Sequence, residues 1–195
     1  MEYAMAIDGG PASISGGTGV LLLHPSTGET DRIDTEFFST DTDAMLVIST
    51  RTTAREVTQK LEYYEVSAPT VAILDTLSVE RGYSRRSGEN IHYVSSPDDL
   101  DGILHCAETF LKSHQGKRRI SVDSITELAY YTEDEDAVFG AMETLHSLLA
   151  EHDAVGLFHL SPEVHDAAIV SRYRELFDIS VHLNDSGDIR VEYRD

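Results

Sequence analysis

Lysine is almost absent from this chain. Only Lys60, Lys112 and Lys117 are Lys; the other twelve basic residues are Arg, against 35 Asp and Glu. The formal charge of −20 argues against a broad nucleic-acid surface, which needs Lys and Arg to displace counterions. Self-repulsion on that scale is screened at molar salt, where the Debye length is about 3 Å. An acidic, Lys-poor chain that still has 41% apolar residues is therefore expected of a halophilic protein. The one cysteine, Cys106, permits no internal disulfide and fits a reducing cytoplasm. No run approaches the ~20 apolar residues of a membrane span. The first residues lack the basic and long apolar regions of a signal peptide, so a cytoplasmic protein without membrane contact is expected. None of the nine histidines pairs at H-x-x-x-H or H-E-x-x-H spacing, and no metal site is expected.

What is present is an alternation of apolar runs and amphipathic stretches. Residues 1–17 are small and Gly-rich and read as a flexible lead-in; residues 18–195 read as one α/β domain. Strand-length apolar runs occur at Val20–Leu23, Ala44–Ser49, Thr70–Asp75, Arg119–Asp123 and Ala154–Leu160. Helical spacing appears between them: Ala54, Val57 and Leu61; then Leu100 to Leu111, with Ser96 as N-cap and Pro97 at the first position; then about Glu133 to His152; then Pro162 to Phe177. Residues 31–38 are acidic and only weakly periodic, so no helix is expected there. Ile179–Leu183 and Ile189–Tyr193 flank the turn residues Asn184–Asp188 and read as a hairpin. Such a pattern predicts a mostly parallel sheet covered on both faces, with an antiparallel hairpin at its C-terminal end.

The run Val20–Leu23 leads into His24-Pro25-Ser26-Thr27-Gly28-Glu29-Thr30. A nucleotide-binding loop, G-x-x-x-x-G-K-[ST], uses its Lys on the β/γ-phosphates and its hydroxyl on Mg²⁺. Aligned on Gly28 and Thr30, the first Gly is Leu23 and the Lys is Glu29. The element order, this loop and the strand-terminal Asp123 resemble the RecA-like P-loop ATPases and, within them, the archaeal KaiC-like branch. The wording VGLFHLSPEVHD and the acidic bias resemble a haloarchaeal group of degenerate members, the HTR-like proteins. The resemblance implies a three-layer α/β/α RecA-like fold. It also implies a vestigial nucleotide site at Gly28, Glu29, Thr30, Arg51 and Asp123.

At the position of the family's water-activating acids, Ser49-Thr50-Arg51-Thr52 stands where Ser-Thr-Glu-Glu would. Losing both the phosphate-binding cation and the base removes positioning and charge stabilisation together. The expectation is a non-catalytic pseudo-ATPase without a cofactor, serving as a regulatory or signalling module with a protein partner or in self-association. The alternative is a nucleotide-binding switch or weak ATPase that holds Mg-ATP through Thr30 and Asp123. A Glu29–Arg51 salt bridge would fill the old pocket. The loop of residues 76–89 carries Arg81, Tyr83, Arg85 and Arg86, which either dock an acidic partner or form a solvated loop.

Overall fold

In a computed structural model, which describes residues 1–39, 41–66, 69–85 and 88–194, the strands are β1 (Glu2–Ala4), β2 (Ser13–Ser15), β3 (Gly19–Leu23), β4 (Ala44–Ser49), β5 (Thr70–Asp75), β6 (Ile91–Tyr93), β7 (Arg118–Asp123), β8 (Val155–Leu160), β9 (Ile179–Leu183) and β10 (Ile189–Tyr193). The helices are α1 (Asp31–Ser39), α2 (Ala54–Tyr63), α3 (Leu100–Ser113), α4 (Ile125–Thr132), α5 (Glu135–Glu151) and α6 (Ala167–Leu176). β1 and β2 form their own antiparallel pair; the other eight strands form one sheet in the order β10-β9-β3-β8-β7-β4-β5-β6. All its neighbours are parallel except β9 and β10. This is the expected mixed α/β architecture, closed by the expected hairpin.

The central strands are buried on both faces, which is why they read as continuous apolar runs. Leu21, Leu46, Ile120 and Phe158 face α3, α4, α5 and α6. Val20, Leu22, Met45 and Leu157 face α1, α2 and the β1–β2 hairpin. Among the described residues, no helix is long and apolar enough to cross a membrane.

The segment 1–17, read as a flexible lead-in, instead forms the β1–β2 hairpin and buries Tyr3, Met5, Ile7 and Ile14. A buried arginine fastens it. The Arg119 guanidinium lies 5.3 Å from the Tyr3 ring centre and 4.9 Å from that of Phe37, and it donates to the Ala4 carbonyl. Tyr3 donates its hydroxyl to the Asp153 carbonyl at 2.7 Å.

Residues 31–38 also depart from expectation, forming helix α1 with Ile33, Phe37 and Phe38 packed inward. α3 is capped by Asp99, whose carboxylate accepts from Gly102 N–H at 3.0 Å, rather than by Ser96. The single helix expected from Pro162 to Phe177 is a short 3₁₀ turn, Pro162–Val164, followed by α6. α4 is a further helix without an expected counterpart; its N-cap is Ser124, directly after β7.

Candidate functional site

The register of the parallel strands brings their C-terminal ends to one edge of the sheet. Ser49 of β4 lies opposite both Asp75 and Asp123, and Leu23 of β3 lies opposite Leu160. In open α/β sheets this edge is where ligands bind. The connections His24–Thr30 after β3, Thr50–Thr53 after β4, Thr76 onward after β5, Ser124 after β7 and Ser161 after β8 leave from this edge.

The β3–α1 loop closes on itself. Gly28 N–H donates to the Pro25 carbonyl at 2.7 Å, and a Cβ at Gly28 would stand 2.9 Å from that oxygen, so the turn requires glycine. Ser26 N–H, one of the backbone donors a phosphate cradle would use, is bonded to the Glu163 carboxylate. Glu29 is exposed and joins no ion pair among the described residues. The expected Glu29–Arg51 bridge is therefore not formed. Instead Arg51 Nη2 lies 2.7 Å from Asp123 Oδ1, because β4 and β7 are adjacent and their ends are level. Thr30 is buried, with its hydroxyl 3.4 Å from Asp34 Oδ2.

Beneath this edge lies a buried chain of charge that the sequence reading did not single out. Asp34, on α1, has Lys60 Nζ at 2.8 Å and His159 Nε2 at 2.7 Å. Lys60, on α2, also reaches Asp31 at 3.0 Å. His159 Nδ1 lies 3.3 Å from His24 Nε2. His24 Nδ1 sits 2.8 Å from the Pro25 carbonyl, which can only accept, so His24 carries its proton on Nδ1 and presents a lone pair at Nε2. His159 then donates from Nδ1 to His24 while Nε2 faces a carboxylate, the arrangement of an imidazolium.

Electrostatics agree with this protonation pattern. Burial opposes charge on His159, but the Asp34 and Asp123 carboxylates outweigh it and raise its pKa. Burial likewise opposes the Asp34 carboxylate, and His159 and Lys60 outweigh that, holding it below the usual carboxyl range. Burial first, then the charge of His159, pushes His24 down to about 4.

Asp34, Asp123 and His159 place ligand-type atoms within 4.8 Å of one another, a group that histidine spacing alone did not anticipate. Their lone pairs do not converge on one point. His159 directs Nε2 at Asp34 and Nδ1 toward His24 and Asp123, and each carboxylate already has a cation beside it.

A cavity of about 340 Å³ opens between α1 and α2 against β4 and β7, and Asp34, Arg51 and Asp123 line it. The expected set is thus split. Arg51 and Asp123 meet in this cavity, Gly28 and Thr30 are held within the loop and α1, and Glu29 points to solvent. In the separate loop, Arg81 donates to the Tyr131 hydroxyl at 3.0 Å, and Tyr83 and Arg85 are exposed. Arg86 lies outside the described residues.

A family profile described as a family of unknown function, DUF7090, matches residues 1–193. The chain belongs to this family. No curated protein sequence matches it. Among solved structures it is similar to the KaiC-like protein PH0186 of the hyperthermophilic archaeon Pyrococcus horikoshii OT3. That match has 16% identity and a TM-score of 0.59, and covers 92% of this chain and 79% of the other. A second protein of that archaeon, PH0250, matches at 13% identity and a TM-score of 0.64, over 92% and 88% of the two chains. An ATPase from the type III secretion system of pathogenic bacteria matches at 12% identity and a TM-score of 0.62, over 95% of this DUF7090 chain and 57% of that one. At these identities the likeness is one of fold. The DUF7090 chain has the fold of RecA-like and KaiC-like P-loop ATPases.

Proposed function

We propose that this protein is a non-catalytic, KaiC-like domain that acts as a regulatory or signalling module through protein contacts, in a halophilic archaeon and within the HTR-like group. The observation that carries the reading is that internal groups already hold the positions a Mg-triphosphate would need. Glu163 takes the Ser26 N–H, Arg51 takes Asp123, and Asp34 engages the Thr30 hydroxyl. A triphosphate would have to displace an anion from the cradle without a loop lysine to replace it. An attacking water would meet the Arg51 guanidinium where a carboxylate base is required.

The alternative, a nucleotide switch working through Thr30 and Asp123, needs both groups released from these partners at once. The −20 charge and the scarcity of lysine support the halophilic context. The exposed Tyr83 with Arg81 and Arg85 supports an acidic protein partner; self-association is the other candidate contact. Titration with Mg-ATP in molar KCl tests the reading: no saturable binding and no phosphate release are expected. Micromolar binding abolished by Asp123→Ala would favour the switch.

A further inference from the structure

We infer that the Thr126 hydroxyl is a nucleophile, activated by His165 and oriented through Glu135, that accepts a short neutral acyl group from an activated ester or thioester. The inference goes beyond the reading above. It concerns acyl transfer to the chain itself rather than phosphoryl transfer, and it holds whether or not nucleotide binds.

Three side chains from separate elements meet here. Thr126 lies in the first turn of α4, Glu135 opens α5, and His165 follows the 3₁₀ turn after β8. Thr126 Oγ1 is 3.0 Å from His165 Nε2, and His165 Nδ1 is 2.8 Å from Glu135 Oε1. The carboxylate only accepts, so the ring carries its proton on Nδ1 and presents a lone pair at Nε2. Ser161 N–H donates to Thr126 Oγ1 at 2.9 Å, which leaves the hydroxyl proton for His165. This is the order of nucleophile, base and orienting acid used in acyl transfer. The His165 side chain is 2% exposed, so packing fixes the ring and shields it from water.

A hydrogen bond that only ties α4 to the β8–α6 connection needs no open space beside it. Thr126 instead lines a cavity of about 420 Å³, together with Glu135 and His165. That volume is within the range of small-molecule sites. Ala129, Tyr130 and Val164 give the cavity an apolar side suited to a short acyl chain, and Glu127 and Glu135 on its wall disfavour an anionic one. Two groups can favour the oxyanion of the tetrahedral intermediate. Thr126 N–H stands in the first turn of α4, where no helical carbonyl precedes it as acceptor. Arg51 lines the same cavity, and its Nε is buried without a hydrogen-bond partner among the described residues.

In the reaction, Thr126 Oγ1 attacks the acyl carbon as His165 Nε2 takes the hydroxyl proton. The carbonyl π bond opens and re-forms, the bond from carbon to the leaving oxygen or sulfur breaks, and His165 gives the proton to that atom. The products are O-acyl-Thr126 and an alcohol or thiol; no further reactant is consumed.

The experiment incubates the full chain in molar KCl with p-nitrophenyl acetate, follows p-nitrophenolate release, and maps acetylated peptides by mass spectrometry. Acetylation is expected on Thr126 in the folded chain and not in the urea-unfolded chain. His165→Gln should slow it at least about 100-fold. Glu135→Gln should lower the rate at saturating ester about tenfold or more without changing the half-saturating concentration, the split expected of a positioning residue. Thr126→Ser keeps the hydroxyl and should be acetylated at the same position, which serves if the other variants do not fold. Ring-nitrogen NMR of His165 should show the neutral, Nδ1-protonated form. No acetylation of Thr126, an equal rate at Thr126 in His165→Gln or in the unfolded chain, or an Nε2-protonated neutral ring each overturns the proposal.

Discussion

Replacing Lys60 with Met removes one charge from the buried network and leaves its shape nearly intact. Asp34 would keep His159 at 2.7 Å and lose the ammonium at 2.8 Å. Breaking a buried pair typically costs about 3–5 kcal/mol. Two facts lower that figure here: the Lys60 side chain is 26% exposed, and Asp34 keeps one counter-charge. The expected loss is about 2–3 kcal/mol, read as a lower urea midpoint at constant m-value.

The pH dependence provides a second readout. Burial raises the Asp34 pKa, but His159 and Lys60 outweigh it and hold it below the ordinary value. Its contribution is therefore present above the unfolded pKa of about 3.9 and lost as pH falls through the folded value. In Lys60→Met the folded pKa rises toward the unfolded one, and the acid limb of the stability profile becomes shallower. A loss below about 0.5 kcal/mol would refute the claim that Lys60 compensates a buried carboxylate.

Other consequences can be measured independently. By NMR, His159 should stay protonated above pH 6.5 while His24 stays neutral down to about pH 4; the reverse order would contradict the assigned chain of donors. Because its folded pKa is lowered, His24 contributes stability present above about pH 6.5 and lost as pH falls toward 4, whereas the His159 contribution is complete below about 6.5 and lost as pH rises through its raised value. Tyr3→Phe should cost about 1–2 kcal/mol in chemical denaturation, since it removes the donor to Asp153 and the acceptor for Arg118 N–H; no loss would mean the hairpin is dispensable. Thr53→Ala should cost about 1 kcal/mol by breaking the capping box with Glu56 at the start of α2.

The sheet was legible in the sequence because strands buried on both faces carry unbroken apolar runs, as Met45–Ile48 and Leu157–Phe158 do. α1 was not. Its three acids obscured an inward stripe of Ile33 and Phe37, and one of those acids, Asp34, is itself buried. Nothing local signals that burial, since the compensating Lys60 lies 26 residues away and His159 comes from β8. A histidine inside the apolar run Val155–Leu160 was the available clue.

The β1–β2 hairpin was missed for a related reason: its anchors, Arg119 and Asp153, lie more than a hundred residues away. At the site, Arg51 and Asp123 could be placed at neighbouring strand ends from the sequence, but their pairing could not. Strand adjacency chose Asp123 as the partner of Arg51 and left Glu29 in solvent.

The central claim, that the nucleotide site has been filled from within, is tested most directly by calorimetric titration of the full chain with Mg-ATP in molar KCl. No saturable heat is expected through the millimolar range, with the same result for Asp123→Ala. Saturation in the micromolar range that disappears in Asp123→Ala would contradict it.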